Sequence, residues 1–131
     1  MKYMLLIYGN QELWESFPPE ELAKVVQETD ALHRELRGSG EFIGAWGVAD
    51  QVNAKTVTLD NGVPVVSDGP YLEAKEWVAG FDILECRDLD EAIEVAAKHP
   101  MARRGTLELR PFWTLYDESG RLIDESDEDD G

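Results

Sequence analysis

The chain is short of the residues that most often announce a chemistry. Among 131 residues there is one cysteine and there are two histidines, and 12 lysines and arginines stand against 28 acids, for a net charge of −16. A single Cys86 excludes an intrachain disulfide and fits a reducing compartment. No Cys/His cluster has zinc-ligand spacing, no glycine-rich phosphate loop is present, and no Ser or Cys nucleophile has a base at motif spacing, so no cofactor or metal is expected. The scarcity of basic residues argues against nucleic-acid and anionic-membrane partners, whose recognition needs clustered Lys and Arg. Long hydrophobic runs are also missing. The apolar stretch of residues 3–8 is too short for a membrane span or a signal core and is read as a first strand, in a cytoplasmic protein.

The charge is unevenly spread. Residues 114–131 hold eight acids and one base, and the preceding 113 residues hold 20 acids and 11 bases. The chain therefore divides into a folded domain over 1–113, long enough for one core, and an acidic tail over 114–131 expected to be partly disordered.

Within the domain, residues 2–8 are apolar on both strand faces, which predicts a strand covered above and below. Gly9-Asn10 ends it, and a loop with Trp14 and Phe17 leads to Pro18-Pro19-Glu20-Glu21, a composition suited to a helix's first turn. Leu22, Val25, Val26, Thr29, Leu32 and Leu36 then share one helical face up to Gly38, predicting a helix over about 19–37. Residues 41–48 read as a short strand. Residues 56–59 and 63–66 flank Asp60-Asn61-Gly62, a strong hairpin signal. Residues 77–86 form the longest strand candidate. Asp88 caps a second helix ending at Lys98-His99-Pro100, with Leu89, Ala92, Ile93, Ala96 and Ala97 as its buried stripe. Residues 106–113 make the last strand, and Pro111 places part of it at an edge.

The order β-α-β-(hairpin)-β-α-β predicts an α+β fold, a ferredoxin-like split βαβ with an inserted hairpin. Both helices then cover one face of the sheet. The other face, with Trp77, Phe81 and Phe112 near it, would be costly to leave in water, at about 25 cal/mol per Å² of apolar surface. A second subunit is the expected cover.

The stretch that joins hairpin to longest strand, Ser67-Asp68-Gly69-Pro70-Tyr71-Leu72-Glu73-Ala74-Lys75-Glu76, combines turn chemistry with charges and an aromatic ring. Together with Gly80-Phe81, His99-Pro100, Arg104-Gly105 and Glu108-Leu109-Arg110-Pro111, it resembles the YCII-related, or DGPF-domain, family. Tyr71 stands where the family usually has Phe. The resemblance implies a homodimeric α+β barrel with a cleft in each subunit. It also implies kinship with small proteins encoded beside extracytoplasmic-function sigma factors, and with a wider group that includes a dehalogenating lyase and uses a His–Asp dyad. Counting back from Gly40 puts the family's helix histidine near Gln27.

The candidate residues each carry two readings. His33 falls between Val26 and Thr29 on the helical wheel and faces inward, either as a general base or as a core-edge histidine satisfied by a carbonyl or carboxylate. His99, at a helix C-terminus before Pro100, sits where the dipole favours the charged form, with capping as its simplest use. Asp68 is an acid/base candidate or a turn residue that fixes Lys75 or Arg110. Glu108 and Arg110 share one strand face, as a carboxylate clamp or as an interface ion pair. Trp46 and Tyr71, with Lys75, are candidates to line a polar-aromatic cleft for a small organic ligand, or are core and interface residues. The two functional hypotheses are cofactor-free acid–base or lyase-like chemistry in that cleft, and a non-enzymatic regulatory or interaction protein.

Overall fold

The computed structural model describes residues 1–112 and 119–121, so the acidic tail lies almost wholly outside the described residues. The elements run β1 (Lys2–Gly9), α1 (Gln11–Glu15), α2 (Pro19–Ser39), β2 (Phe42–Gly47), β3 (Lys55–Asp60), β4 (Val63–Asp68), β5 (Trp77–Glu85), α3 (Leu89–Lys98) and β6 (Thr106–Pro111). Single 3-10 turns occupy Gln51–Asn53 and Pro100–Arg103. Four strands form an antiparallel sheet in the order β2-β5-β1-β6, and β3 and β4 pair separately. This is the expected α+β arrangement: each helix carries the chain across a neighbouring strand, so the strands it joins are never adjacent.

β1 is central because it can be buried on both sides. Tyr3 and Leu5 point into the core beneath the helices, where they meet Leu32 and Leu36 of α2, Leu84 of β5, and Ala92 and Val95 of α3. Met4, Leu6 and Tyr8 take the opposite face, in register with Ile83 and Phe81 on one side and Arg110 and Glu108 on the other. β6, with Pro111, is an edge strand as its sequence predicts.

Three local expectations are corrected. The loop carrying Trp14 contains a one-turn helix, α1, because the Asn10 side chain accepts the Leu13 amide at 2.7 Å and caps it. Helix α2 passes through Gly38 and stops at Gly40, whose φ of +85° supplies the left-handed cap while Glu41 N–H reaches Leu36 O at 2.9 Å. Helix α3 is rotated relative to the expected stripe: Ala92 and Val95 are buried, and Leu89 and Ile93 are half exposed.

The hairpin turns at Asn61-Gly62, both at positive φ. It stands away from the sheet, with Val57, Leu59, Val63, Val65 and Val66 each between 45% and 70% exposed.

Candidate functional site

The apolar stripe of α2 divides in two. Leu32 and Leu36 fill the core, whereas Leu22, Val25, Val26 and Thr29, nearer the helix start, line a cleft of about 470 Å³ between α2 and the sheet. Its floor is made of residues with little or no side chain: Ala45 and Gly47 from β2, Ala79 and Gly80 from β5. Gly47 and Gly80 are cross-strand partners, and a Cβ on Gly80 would meet Trp46 O at 2.9 Å. Small residues thus let β2 and β5 approach while leaving room above them. Ile7, Trp14 and Met101 complete the apolar wall.

Three polar side chains converge at the inner end. His33 comes from α2, Asp82 from β5 and His99 from the turn after α3, and one ligand-capable atom of each lies within 4.8 Å of those of the other two. His33 Nε2 and Asp82 Oδ2 are 3.0 Å apart, with the side chains 16% and 3% exposed. Burying a carboxylate this deeply is strongly unfavourable without a partner, and His33 is that partner. An ionised carboxylate only accepts, so the proton of this contact belongs to His33 Nε2. Phe42 stacks on His33 at 4.5 Å between ring centroids and fixes its plane.

His99 is 2% exposed. Its Nδ1 accepts the Met101 amide at 3.1 Å, making it the cap of the Pro100–Arg103 turn. The expectation that the preceding helix end favours its charged form is overturned. Burial pushes its pKa below the ordinary histidine value, with His33 acting in the same direction and Asp82 opposing.

Elsewhere, the sequence candidates are dispersed. Asp68 ends β4 on the surface, paired with Lys55, and not with Lys75 or Arg110. Asp68 and Lys75 border a separate open depression of about 630 Å³ with Asp50, Gln51, Pro70 and Glu73. Tyr71 is 82% exposed. Arg110 Nε lies 3.5 Å from Glu108 Oε2 on the sheet face away from the helices, and Tyr8 Oη donates to Glu108 Oε1 at 3.3 Å. Trp46 borders the cleft and packs against Phe81 at 5.5 Å. The Trp46 ring, packed on Phe81, lies with the sheet face away from the helices, so His33 is separated from it as well as from Asp68, Tyr71 and Lys75.

A model of the YCII-related domain matches residues 1–115. The chain belongs to that family. An uncharacterized protein of Rhizobium meliloti is 30% identical over 118 residues, covering 88% of this chain and 94% of its own. Within this YCII-related chain, the helix position reached by counting from Gly40, Gln27, is exposed, and the histidine that meets an aspartate is His33. Asp82 was not singled out by sequence reasoning. Its signal was available: it is a carboxylate inside the longest apolar strand, in the same alternating register as buried Leu84.

Proposed function

We propose that this YCII-related protein binds a small organic molecule in the α2–sheet cleft and performs cofactor-free acid–base chemistry on it. The observation that carries the reading is the 3.0 Å pair between His33 Nε2 and Asp82 Oδ2 at the inner end of an apolar cleft. Asp82 orients the imidazole, and His33 Nδ1 serves as a base toward an acidic C–H or O–H of the ligand. The cleft volume falls in the range of small-molecule sites, about 300–1,000 Å³.

The test uses acetophenone in D2O. Binding seen by saturation-transfer NMR, with His33-dependent exchange of its methyl protons for deuterium, supports the reading; His33→Gln should lose the exchange. Ala45→Trp, which fills the cleft from its floor, should abolish binding. A folded A45W protein that binds as well as wild type overturns it.

The face of the sheet away from the helices is read as the seat of a second copy, giving the dimeric α+β barrel. Half-exposed Trp46 and Phe112 on or beside that face support this. Light scattering at micromolar concentration should return twice the chain mass, and a monomer would remove the barrel. The second functional reading, a regulatory or interaction protein, is favoured by the hairpin, whose exposed valines and leucine would suit a protein partner.

A further inference from the structure

The buried Nε2 of His99 has no hydrogen-bond partner among the described residues. Buried donors are paired in the great majority of cases, and leaving one unpaired costs about 1–3 kcal/mol. His99 belongs to the lining of the cleft, beside His33 and Asp82, with Nε2 buried behind that lining.

Its protonation is fixed by the backbone. Nδ1 accepts the Met101 N–H at 3.1 Å, which occupies that nitrogen's lone pair. In the neutral ring the proton must then sit on Nε2, so the unpartnered atom is a donor. Burial keeps the ring neutral by disfavouring its charged form. The same tautomer leaves Nε2 no lone pair for a metal ion.

The remaining lining sets what this donor can meet. Apart from the dyad and His99, the side chains at the cleft with polar atoms are Thr29, whose hydroxyl donates to Val25 O at 2.8 Å, Asp30, and Trp14 through its indole N–H. No Lys or Arg lines it among the described residues. Two acids without a balancing cation disfavour an anionic ligand, and the apolar wall favours a neutral one.

We propose that His99 is a ligand-binding residue whose Nε2–H donates to the carbonyl oxygen of a neutral, mainly apolar molecule, so that the cleft selects uncharged carbonyl compounds over hydrocarbons and carboxylates. This rests on the cleft being the ligand site. Within that reading, the donor polarises the carbonyl on which His33 acts. As the base takes a proton from the adjacent carbon, the C–H electron pair forms a C=C bond and the carbonyl π pair moves onto the oxygen held by His99; return of a proton to carbon reverses both shifts and restores the ligand.

Three probes of similar size decide it: acetophenone, ethylbenzene and benzoate, titrated into the full chain. Acetophenone should bind about tenfold more tightly than ethylbenzene, the worth of one hydrogen bond near the top of its usual range, and benzoate should bind least. His99→Asn keeps an oxygen to cap Met101 N–H but lacks the Nε2 donor, so it should bind acetophenone and ethylbenzene alike. Ring ¹⁵N spectra of wild type should show His99 protonated at Nε2, whether or not a probe is present. Equal binding of ketone and hydrocarbon by wild type, a preference for benzoate, an undiminished ketone preference in H99N, or a proton on Nδ1 would each overturn the role given to His99 while leaving the cleft as a site. Failure of all three probes to bind would remove the cleft reading and this inference with it.

Discussion

Two places in this molecule set an acid against a base, and water separates their properties. At the dyad, His33 and Asp82 are 16% and 3% exposed and are held by the core on one side and Phe42 on the other. At the end of the hairpin, Lys55 and Asp68 are 59% and 89% exposed. In the first place, removing one partner strands a polar group in a low-dielectric setting; in the second, solvent takes over at once. The surface loop holds part of the motif by which the family is recognised, and the dyad holds the buried ion pair.

The largest expected effect tests that contrast directly. Asp82→Ala should lower the unfolding free energy by about 3 kcal/mol, since it leaves His33 without its partner and a gap in the core. Asp68→Ala should change it by less than about 0.5 kcal/mol. Urea denaturation of both variants measures the pair, and losses of equal size would erase the distinction between buried and exposed sites.

A smaller effect concerns pH. His99 has a folded-state pKa below its ordinary 6.5, so between the folded and unfolded values the unfolded chain binds more protons. Its contribution is fully present above about pH 6.5 and is lost as pH falls toward the folded value. Thermal melts of wild type should therefore fall off on the acid side of 6.5, and His99→Asn should shallow that limb. Identical limbs would show that burial of His99 does not govern it.

The smallest expected signal is a near-absence of reaction. Cys86 is 2% exposed and burial pushes its thiol up to about 11, with Glu91 and Glu41 adding to the shift. Little thiolate exists at neutral pH. An exposed-thiol reagent should label the native protein far more slowly than the urea-unfolded chain; comparable rates would contradict the packing around Tyr3 and Leu84.

What could be read from the sequence divides along the same line. Element order apart from α1, the hairpin at Asn61-Gly62 and β1 as a strand apolar on both faces follow from local patterns of period 2 and 3.6. The inward aim of His33 follows from the same helical period. Gln27 lies six residues away, and rotation by 100° per residue turns it to the far side of the helix. Asp82 and His99 were harder because their roles depend on what packs over them. Local context at His99 says helix end and positive charge; tertiary context buries the ring under α2 and makes it a cap for the next turn. Asp68, in contrast, has vivid local chemistry and no tertiary enclosure.

The edges of the main sheet carry one more consequence. On one side, β2 departs from regular pairing between Phe42 and Gly44. On the other, β6 contains Pro111, which has no amide hydrogen to offer. Neither rim is a good template for a further strand. Lateral extension of the sheet into a growing fibre is thereby discouraged at both ends. What stays open to contact is the broad face away from the helices.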